Sequence, residues 1–479
     1  MPTPKLCYSY TTLPETFYSE AHTEKFNKPS MVILNGTLAK EIGLDIMGSS
    51  PAQILDFLLG YKSPSDAKPI AMAYAGHQFR HFTMLGDGRA LLLGEHITQK
   101  NKRLDIHLKG SGATPYSRGG DGHAALGSML REYMISEAMH ALGIPSTRSL
   151  AVIDTGQFVQ RDGLQPGAIL VRVAESHIRV GTFEYAAMLG HDQLRALFDY
   201  TINRHLNGCG LSTEQAAATL LRNVIKKQAQ LIAKWQSVGF IHGVMNTDNM
   251  AISGQTIDYG PCAFMDNYHP DTVFSSIDRH GRYSFKNQTP IGHWNLTRFA
   301  ETLLPLLASQ PEEAIAIATD LLQSYWRCYA DERNRIMCHK LGLSEVHDDN
   351  LALVDALLGL MQDHALDYNK TFSDLSVDER QLELLSIPEF KCWHDHWGKR
   401  IKPCYSQALQ LMKKHNPWII PRNHLLEEAL SVATDKRDYT KFNDMLVAVS
   451  HPFEVNENYR RFHTPPKAHE RVTQTFCGT

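Results

Sequence analysis

The sequence lacks any apolar run near the roughly 18 residues that a membrane-spanning helix requires. It also lacks an excess of basic residues, since 48 Lys and Arg stand against 51 Asp and Glu, for a net charge of −3. A membrane is therefore not an expected partner, and nucleic acid is not favoured because no broad positive field would attract its phosphates. At 479 residues, the chain has room for two or three domains.

Signals for secretion and for a disulfide framework are also missing. The eight cysteines form no CxxC pair, which is typical of reduced thiols. The first residues lack a basic start followed by an apolar stretch, and Glu15 and Glu20 argue against a transit peptide. We therefore expect a cytoplasmic protein.

Several well-known catalytic patterns do not occur. The sequence has no H-E-x-x-H zinc motif, no G-x-S-x-G nucleophile elbow and no Walker A phosphate loop. Cys392 and His396 share a helix face in the stretch CWHDH, but two ligands do not make a zinc site. The chemistry has to be sought in a different pattern.

The most specific pattern lies in the stretch 239–260. His242 and Asn249 have the spacing of the His and Asn in the protein-kinase catalytic loop, H-R-D-x-x-x-x-N. Asp258 then begins Asp-Tyr-Gly at the place of the kinase Asp-Phe-Gly, and the apolar run between the two motifs predicts a small hairpin. This layout would aim an Asn amide and an Asp carboxylate at one divalent cation, and hard cations such as Mg²⁺ take oxygen ligands.

One position departs from the kinase pattern. The catalytic Asp of kinases is replaced by Val244, whose aliphatic side chain cannot accept a proton. The only carboxylate close by in the sequence is Asp248, directly before Asn249.

Upstream, a glycine-rich turn precedes an apolar stretch. Leu85 leads into Gly86-Asp87-Gly88, and an apolar run follows Arg89, which predicts a strand, a tight turn and a second strand. Glycines at such a turn let backbone N–H groups approach phosphates, although Gly-Asp-Gly is also a common hairpin turn.

A lysine and a glutamate follow at kinase-like places. Lys109 ends an alternating strand that begins at Asp105, where kinases place their phosphate-binding Lys, although most such lysines are simply solvated. Apolar residues at helical spacing predict a helix over about 124–142. Within it Glu132 is the candidate partner of Lys109, and Glu137 is the alternative.

The longer motifs resemble those of a known family. They read YAGHQF, LGDGRALLLGE, HLKGSG, TPYSR, ESHIRVGTFEY, HGVMNTDN, TIDYGP and IIPRNHLLEEAL, in order from residue 74 to about 430. With these motifs the chain is similar to selenoprotein O, the YdiU-type protein adenylyltransferases. The resemblance implies an α+β, protein-kinase-like fold of two lobes, with a small β-rich N-lobe carrying an αC-like helix, a helical C-lobe and an additional C-terminal helical region.

The expected domain organisation follows from that resemblance. It comprises a lead-in with short helices (1–70), an N-lobe with nucleotide-binding loops (71–175), a C-lobe with catalytic and metal-binding loops (176–300) and a C-terminal helical region with a redox-type tail (301–479). Many members of the family end in a cysteine or selenocysteine redox motif, and Cys477 is the candidate thiol here. The partner cysteine expected after Asp-Tyr-Gly falls at about Phe274, which leaves Cys262 as the nearest alternative.

The resemblance also implies an activity. Members bind ATP inverted relative to kinases and transfer AMP to Ser, Thr or Tyr hydroxyls of proteins, and UMP transfer from UTP is implied as well. By position, Asn249 and Asp258 would hold Mg²⁺ or Mn²⁺, Asp248 would accept the proton, and Glu132 would orient Lys109. The nucleotide would contact Gly86, Gly88, Arg89, Lys109, Asp121, Gly122, Arg172, Arg179 and Asp258.

Two other functions fit part of the pattern. A kinase that transfers the γ-phosphate would keep Lys109, Asn249 and Asp258, but it would lack a base at position 244. A pseudokinase scaffold would bind nucleotide without catalysis, although a scaffold has no need of both metal ligands.

Overall fold

The computed structural model describes residues 4–62, 66–206, 210–377 and 383–476, which form a mixed α/β structure with a sheet-rich lobe and a helical region. The strands are β1 (Tyr18–Glu20), β2 (Ser30–Leu34), β3 (Ile70–Met72), β4 (Ala75–Gln78), β5 (His81–Met84), β6 (Ala90–Ile97), β7 (Arg103–Lys109), β8 (Arg148–Gln160), β9 (Leu164–Ala174), β10 (Phe240–Ile241) and β11 (Ala263–Phe264).

The helices are concentrated in the second half of the chain. They are α1 (Gly36–Ile42), α2 (Pro51–Leu58), α3 (Leu126–Ala141), α4 (Val180–Leu189), α5 (His191–His205), α6 (Thr213–Ser237), α7 (Gln288–Leu307), α8 (Pro311–Lys340), α9 (Asp348–Asp363), α10 (Tyr368–Asp374), α11 (Pro388–Ile401), α12 (Tyr405–His415), α13 (Asn423–Lys436), α14 (Thr440–Val449) and α15 (Arg460–His463). None of the described helices combines the length and the apolar character needed to cross a lipid bilayer.

The central sheet has seven strands in the order β1-β3-β6-β7-β9-β8-β2, and the paired strands run antiparallel. Its two edge strands, β1 and β2, come from the stretch that sequence analysis treats as a lead-in with short helices. Both are short and mostly half-exposed, and so carry little of the alternating pattern by which a strand is recognised. This stretch therefore contributes to the sheet that carries the candidate site.

Helices cover both faces of this sheet. On one face α1 and α2 bury residues such as Leu38 and Leu58 against the strands. On the other face α3 packs Leu130 and Met134 against β8 and β9, and α13 and α14 then cover α3 from outside. Each large apolar side chain buried in this way contributes about 1.5–3 kcal/mol. Helix α3 is thus fixed between two layers, which holds its polar residues in place.

The helical region is built around α6. Apolar residues along its first half, including Leu220, Leu221 and Val224, are buried in one core with residues of α4, α5, α7 and α8. Ser212 directly precedes the helix, and its side chain caps the N–H of Gln215. After the helix ends, Gly239 has a φ of +71°. The chain then turns directly into β10 and the loop that carries the candidate catalytic residues.

Two predicted hairpins pair differently in the structure. Strand β5, before the Gly-Asp-Gly turn, pairs with β4, whereas β6 pairs with β3 and β7. In the stretch 250–257, Ile252 N–H donates to Ile178 O (2.9 Å) and Thr256 N–H donates to Pro145 O (3.0 Å). In both stretches the segments on either side of the turn pair with other parts of the backbone, so neither stretch forms the predicted local hairpin.

The C-terminal part returns to the loop after Asp-Tyr-Gly. Thr475 N–H donates to Phe274 O (2.7 Å) and Ser276 N–H donates to Thr475 O (3.1 Å). The Thr475 hydroxyl donates to Pro261 O at 2.6 Å. Cys477 lies outside the described residues, and Cys262 is buried. Residues from opposite ends of the second half of the chain are therefore joined by backbone pairing.

Candidate active site

A cleft of about 650 Å³ gathers the residues singled out from the sequence. Its lining includes Gly86, Gly88, Arg89, Lys109, Asp121, Gly122, Arg172, Arg179, Asp248, Asn249 and Asp258. Glu132 does not line the cleft but lies directly behind Lys109. Six Lys and Arg side chains face four Asp side chains in the described lining, a balance that suits an anionic ligand.

Lys109 is held by the glutamate that the sequence favours. Its Nζ donates to Glu132 Oε2 at 2.7 Å and to Asp258 Oδ1 at 3.0 Å. Glu137 instead accepts from Arg148 at 2.9 and 2.7 Å, so the alternative pairing is not formed. Strand β7 ends at Lys109 while α3 presents Glu132 from the next layer, which fixes the ammonium group between two carboxylates.

Asp258 is the point on which the cationic side chains converge. Arg172 Nη1 donates to its Oδ1 at 2.6 Å and Arg179 Nη2 to its Oδ2 at 3.5 Å, in addition to Lys109. Burial alone would raise the pKa of Asp258, but Lys109, Arg172 and Arg179 hold it well below its ordinary value. Its backbone has a φ of +57°, a left-handed conformation that Asp tolerates better than most residues.

The glycines at the Gly-Asp-Gly turn make room for the segment that follows β7. A Cβ on Gly86, whose φ is +146°, would lie 2.4 Å from the Tyr116 ring, and a Cβ on Gly88 would lie 2.7 Å from Tyr116 O. Any larger residue would push this segment away. The turn therefore brings its backbone, and Arg89 after it, to the wall of the cleft.

Asp87, between these glycines, is a residue that sequence analysis did not assign. It accepts from His107 Nε2 (3.1 Å) and Met72 N–H (3.1 Å), and it lies 3.6 Å from Arg179 Nη1. Burial raises its pKa, but His107, Arg179 and the Met72 N–H more than offset that and lower it. The Asp87 carboxylate therefore helps to position Arg179. In the sequence, the only sign of this role was the place of Asp87 within the Gly-Asp-Gly turn.

The Asp121–Gly122 loop is anchored by a second residue that the sequence did not reveal. Arg161 donates to Asp121 Oδ2 at 2.8 Å and to Oδ1 at 3.0 Å, and this bond lowers the pKa of Asp121 to about 2. Gly122 has a φ of +72°, and a Cβ there would lie 2.1 Å from the backbone of Gly112. The Asp121 carboxylate thus holds the loop at the cleft through Arg161, which lies in the turn between β8 and β9 and follows no catalytic pattern.

Asp248 occupies a tight slot in the cleft. A Cβ on Gly76 would lie 2.6 Å from its Oδ1, and a Cβ on Gly181 would lie 3.3 Å from its Cα. Oδ1 is buried and accepts no hydrogen bond from the described residues. Burial raises the pKa of Asp248 to about 6, although Arg179 acts in the opposite direction. A carboxyl group with this pKa is poised to accept a proton near neutral pH.

The loop carrying Asp248 is clamped on two sides. Thr247 Oγ1 donates to Glu184 Oε2 at 2.5 Å and accepts from His77 N–H at 2.7 Å. Glu184, on α4, also bonds His77 Nδ1 at 2.5 Å. Glu184 and His77 belong to motifs quoted above, but their pairing links segments far apart in sequence and no local pattern predicts it.

Asn249 and Asp258 are the candidate metal ligands in this cleft. Asn249 Nδ2 donates to Val244 O at 3.0 Å, which orients the amide. His242 Nε2 bonds Ile257 O at 2.9 Å and so ties the two loops together. Within the described part of the chain, no group of three or more His, Cys, Asp and Glu side chains could hold a metal ion. An ion here would take two protein oxygens and complete its shell with substrate phosphates and water, as Mg²⁺ commonly does.

The chain is similar to known proteins over almost its whole length. A family model described as protein adenylyltransferase SelO matches residues 5–450. A protein nucleotidyltransferase YdiU of Brevibacillus brevis is 53% identical over 476 residues, which cover 98% of this chain and 97% of the relative. Proteins of the same name from Clostridium botulinum and Halalkalibacterium halodurans are 52% and 51% identical, over 98% of this chain and 97% and 96% of their own lengths.

Proposed function

Because this chain belongs to the SelO family of protein adenylyltransferases, we propose that it transfers AMP from ATP, and UMP from UTP, to Ser, Thr and Tyr hydroxyls of other proteins. It is an enzyme of the nucleotidyltransferase class, as the name of its relatives states. The acceptor hydroxyls, the divalent metal and the use of UTP are the parts that this proposal adds.

One observation carries the proposal, namely the convergence of Lys109, Arg172 and Arg179 on Asp258 within the cleft. Three fixed cations around one carboxylate are suited to neutralising a polyphosphate, because arginine and lysine donors bind phosphate oxygens strongly. The glycine turn at Gly86–Gly88 and the loop at Asp121–Gly122 line the same cleft, where their glycines let the backbone approach a ligand closely.

The residues present fit a hard divalent cation. Asn249 and Asp258 offer an amide and a carboxylate oxygen in the same cleft, the donor types that Mg²⁺ and Mn²⁺ prefer. When bound, such an ion would neutralise phosphate charge. Asp258 would then exchange part of its bonding to Lys109 and Arg172 for the ion, and these cations would turn to the phosphates.

Asp248 would act on the incoming hydroxyl. Its carboxylate would accept the proton while the hydroxyl oxygen forms a bond to the α-phosphorus; the bond from that phosphorus to the bridging oxygen breaks and pyrophosphate leaves. The place of Asp248 in the lining of the cleft and its pKa of about 6 support this role. Most of the catalysis would come from positioning and from charge neutralisation.

We further propose that the sheet-rich lobe and the helical region correspond to the two lobes of a protein kinase. The pairing of Lys109 with Glu132, and the order of α6, catalytic loop and Asp258, support this arrangement. The N-lobe would then cover 71–175 and the C-lobe 176–300, flanked by the lead-in 1–70 and the C-terminal helical region 301–479. A cytoplasmic location, where ATP and target proteins meet, stays our prediction.

Transfer of label from α-labelled and γ-labelled ATP to protein tests the proposal. We expect label from the α-phosphate only, dependent on Mg²⁺ or Mn²⁺ and lost in Asp258→Ala. Label from the γ-phosphate only would make the chain a kinase. No label from either, with ATP still bound, would favour a nucleotide-binding scaffold. α-Labelled UTP in the same assay tests UMP transfer.

A further inference from the structure

A second cavity, of about 730 Å³, is formed by other elements of the molecule. The ends of α1, α3 and β9, the turn between β6 and β7, and the middle of α6 surround it. In the described chain it shares no lining residue with the cleft. Its volume is in the range of small-molecule binding sites, about 300–1,000 Å³.

Positive charge is concentrated around this cavity. Five lysines line it, namely Lys40, Lys100, Lys102, Lys227 and Lys234. No described carboxylate lies within ion-pair distance of any of the five, whereas Lys109 and Lys370 elsewhere in the chain have such partners. Like charges around one concave surface repel each other, and such a surface concentrates anions from solution.

The acidic residues of the lining do not cancel this charge. Glu41 lies 3.3 Å from Arg148, which is itself bonded to Glu137. Glu175 is the other carboxylate in the lining, and its single negative charge is outnumbered by the positive charges of the five lysines. The cavity therefore carries a local excess of positive charge in a chain whose net charge is −3.

The floor of the cavity is apolar. Leu38, Ile42, Ile144, Val173 and Leu231 all line it and are mostly buried. The cavity is much larger than one phosphate group, so an organic anion that carries phosphate would fill more of it than inorganic phosphate would. We propose that the cavity binds a phosphate-bearing organic anion of nucleotide size, with its phosphates among the lysines. A concave site of this volume suits a small molecule better than a protein segment.

This binding is independent of the transfer reaction proposed above. The cavity contributes no residue to the cleft, so loss of either property leaves the other measurable. Failure of label transfer would not remove binding here, and failure of binding here would not alter the origin of the transferred label.

Lysine acetylation with quantitative mass spectrometry tests the site directly. The intact protein is acetylated in the presence of ATP, GTP, pyrophosphate or a poly-glutamate peptide, each at several concentrations. We expect ATP and GTP to protect Lys102, Lys227 and Lys234. Lys226 is an internal control, because it is exposed on the same helix but does not line the cavity.

Charge reversal supplies the second arm. In the double variant Lys227→Glu/Lys234→Glu, the nucleotide concentration that half-protects Lys102 should rise about tenfold or more, since two charge-assisted contacts are lost. The matched variant Lys226→Glu should leave it unchanged. Circular dichroism and label transfer from α-labelled ATP report whether the double variant is folded.

Each other result would overturn the proposal. Absence of protection by nucleotides would exclude the site. Equal protection by pyrophosphate would show that the organic part of the nucleotide contributes nothing to binding and would exclude an organic ligand. Protection by poly-glutamate alone would assign the surface to an acidic protein segment. An unchanged half-protecting concentration in the double variant would show that these lysines bind no anion.

Discussion

Gly76 and Asp248 share one slot, in which the missing side chain of the first leaves room for the carboxylate of the second. A Cβ at Gly76 would lie 2.6 Å from Asp248 Oδ1 and 3.0 Å from its Cβ. The backbone of Gly76 needs no left-handed conformation, so this contact is the constraint on the residue type. Adding one methyl group at position 76 therefore tests whether the position of Asp248, the proposed proton acceptor, matters for transfer.

Gly76→Ala should displace Asp248 and reduce label transfer by about 100-fold, since a misplacement near 1 Å can cost that much. Nucleotide binding should change little, because the contacts of Lys109 and Arg172 are not touched. Gly359→Ala is the control: no described atom outside its own helix lies within 4 Å of the added Cβ. Full activity in Gly76→Ala would contradict the assignment of Asp248.

The pH dependence of transfer should follow Asp248. Burial raises its pKa to about 6, so the carboxyl group is protonated in acid and available as a base above that pH. We expect kcat/KM to rise with pH around a midpoint near 6, and Asp248→Asn to lose the rise together with most of the activity. A flat profile in the wild-type protein would contradict this role.

The same pKa has a consequence for stability. Because the pKa of Asp248 is about 6 in the folded state against an ordinary 3.8, the folded protein retains a proton that the unfolded chain releases between these values. This contribution to stability is complete below about pH 4 and is lost as the pH rises through 6. Asp248→Asn should therefore raise the free energy of unfolding near pH 8, by at most about 3 kcal/mol, and not near pH 4. Denaturant unfolding at both pH values measures the difference.

Much of the site was predictable where the pattern is local. The helical spacing of apolar residues around Glu132 predicted α3, and the alternating stretch before Lys109 predicted β7. The pairing of Lys109 with Glu132 could then be anticipated from the order of these elements in kinases. The slot for Asp248 could not be anticipated, because Gly76 acts on it only through space. Arg161 was missed for the same reason.

Helix α3 provides a matched pair of carboxylates for testing Lys109. Glu132 bonds Lys109 at 2.7 Å and Arg172 at 3.2 Å, whereas Glu137 bonds Arg148. Glu132→Gln should reduce kcat/KM by about 10-fold to 100-fold, because the two cations that we propose bind phosphate lose their buried counter-ion. Glu137→Gln should lower stability without that loss. Equal effects of the two substitutions on kcat/KM would contradict a specific role for Glu132.

Arg161 should act on substrate binding more than on stability. It holds Asp121, whose side chain is 46% exposed, and an exposed ion pair adds at most about 1 kcal/mol to folding. Arg161→Ala should raise the KM for ATP several-fold, because the loop at Gly122 loses its anchor, while the melting temperature changes little. Gln160→Ala is the neighbouring control. A fall in kcat with unchanged KM would contradict this interpretation.

The backbone pairing of Thr475 with Phe274 and Ser276 also affects when the protein can finish folding during its synthesis. Pro261, which accepts the Thr475 hydroxyl, precedes it by 214 residues. Ribosomes add roughly 5–20 residues per second, so the loop after Asp258 emerges at least about ten seconds before its partner exists. A nascent chain of this length already contains the groups that we propose bind nucleotide, but it lacks Thr475 and so cannot form the pairing with Phe274, Ser276 and Pro261. The enzyme is therefore completed late in translation.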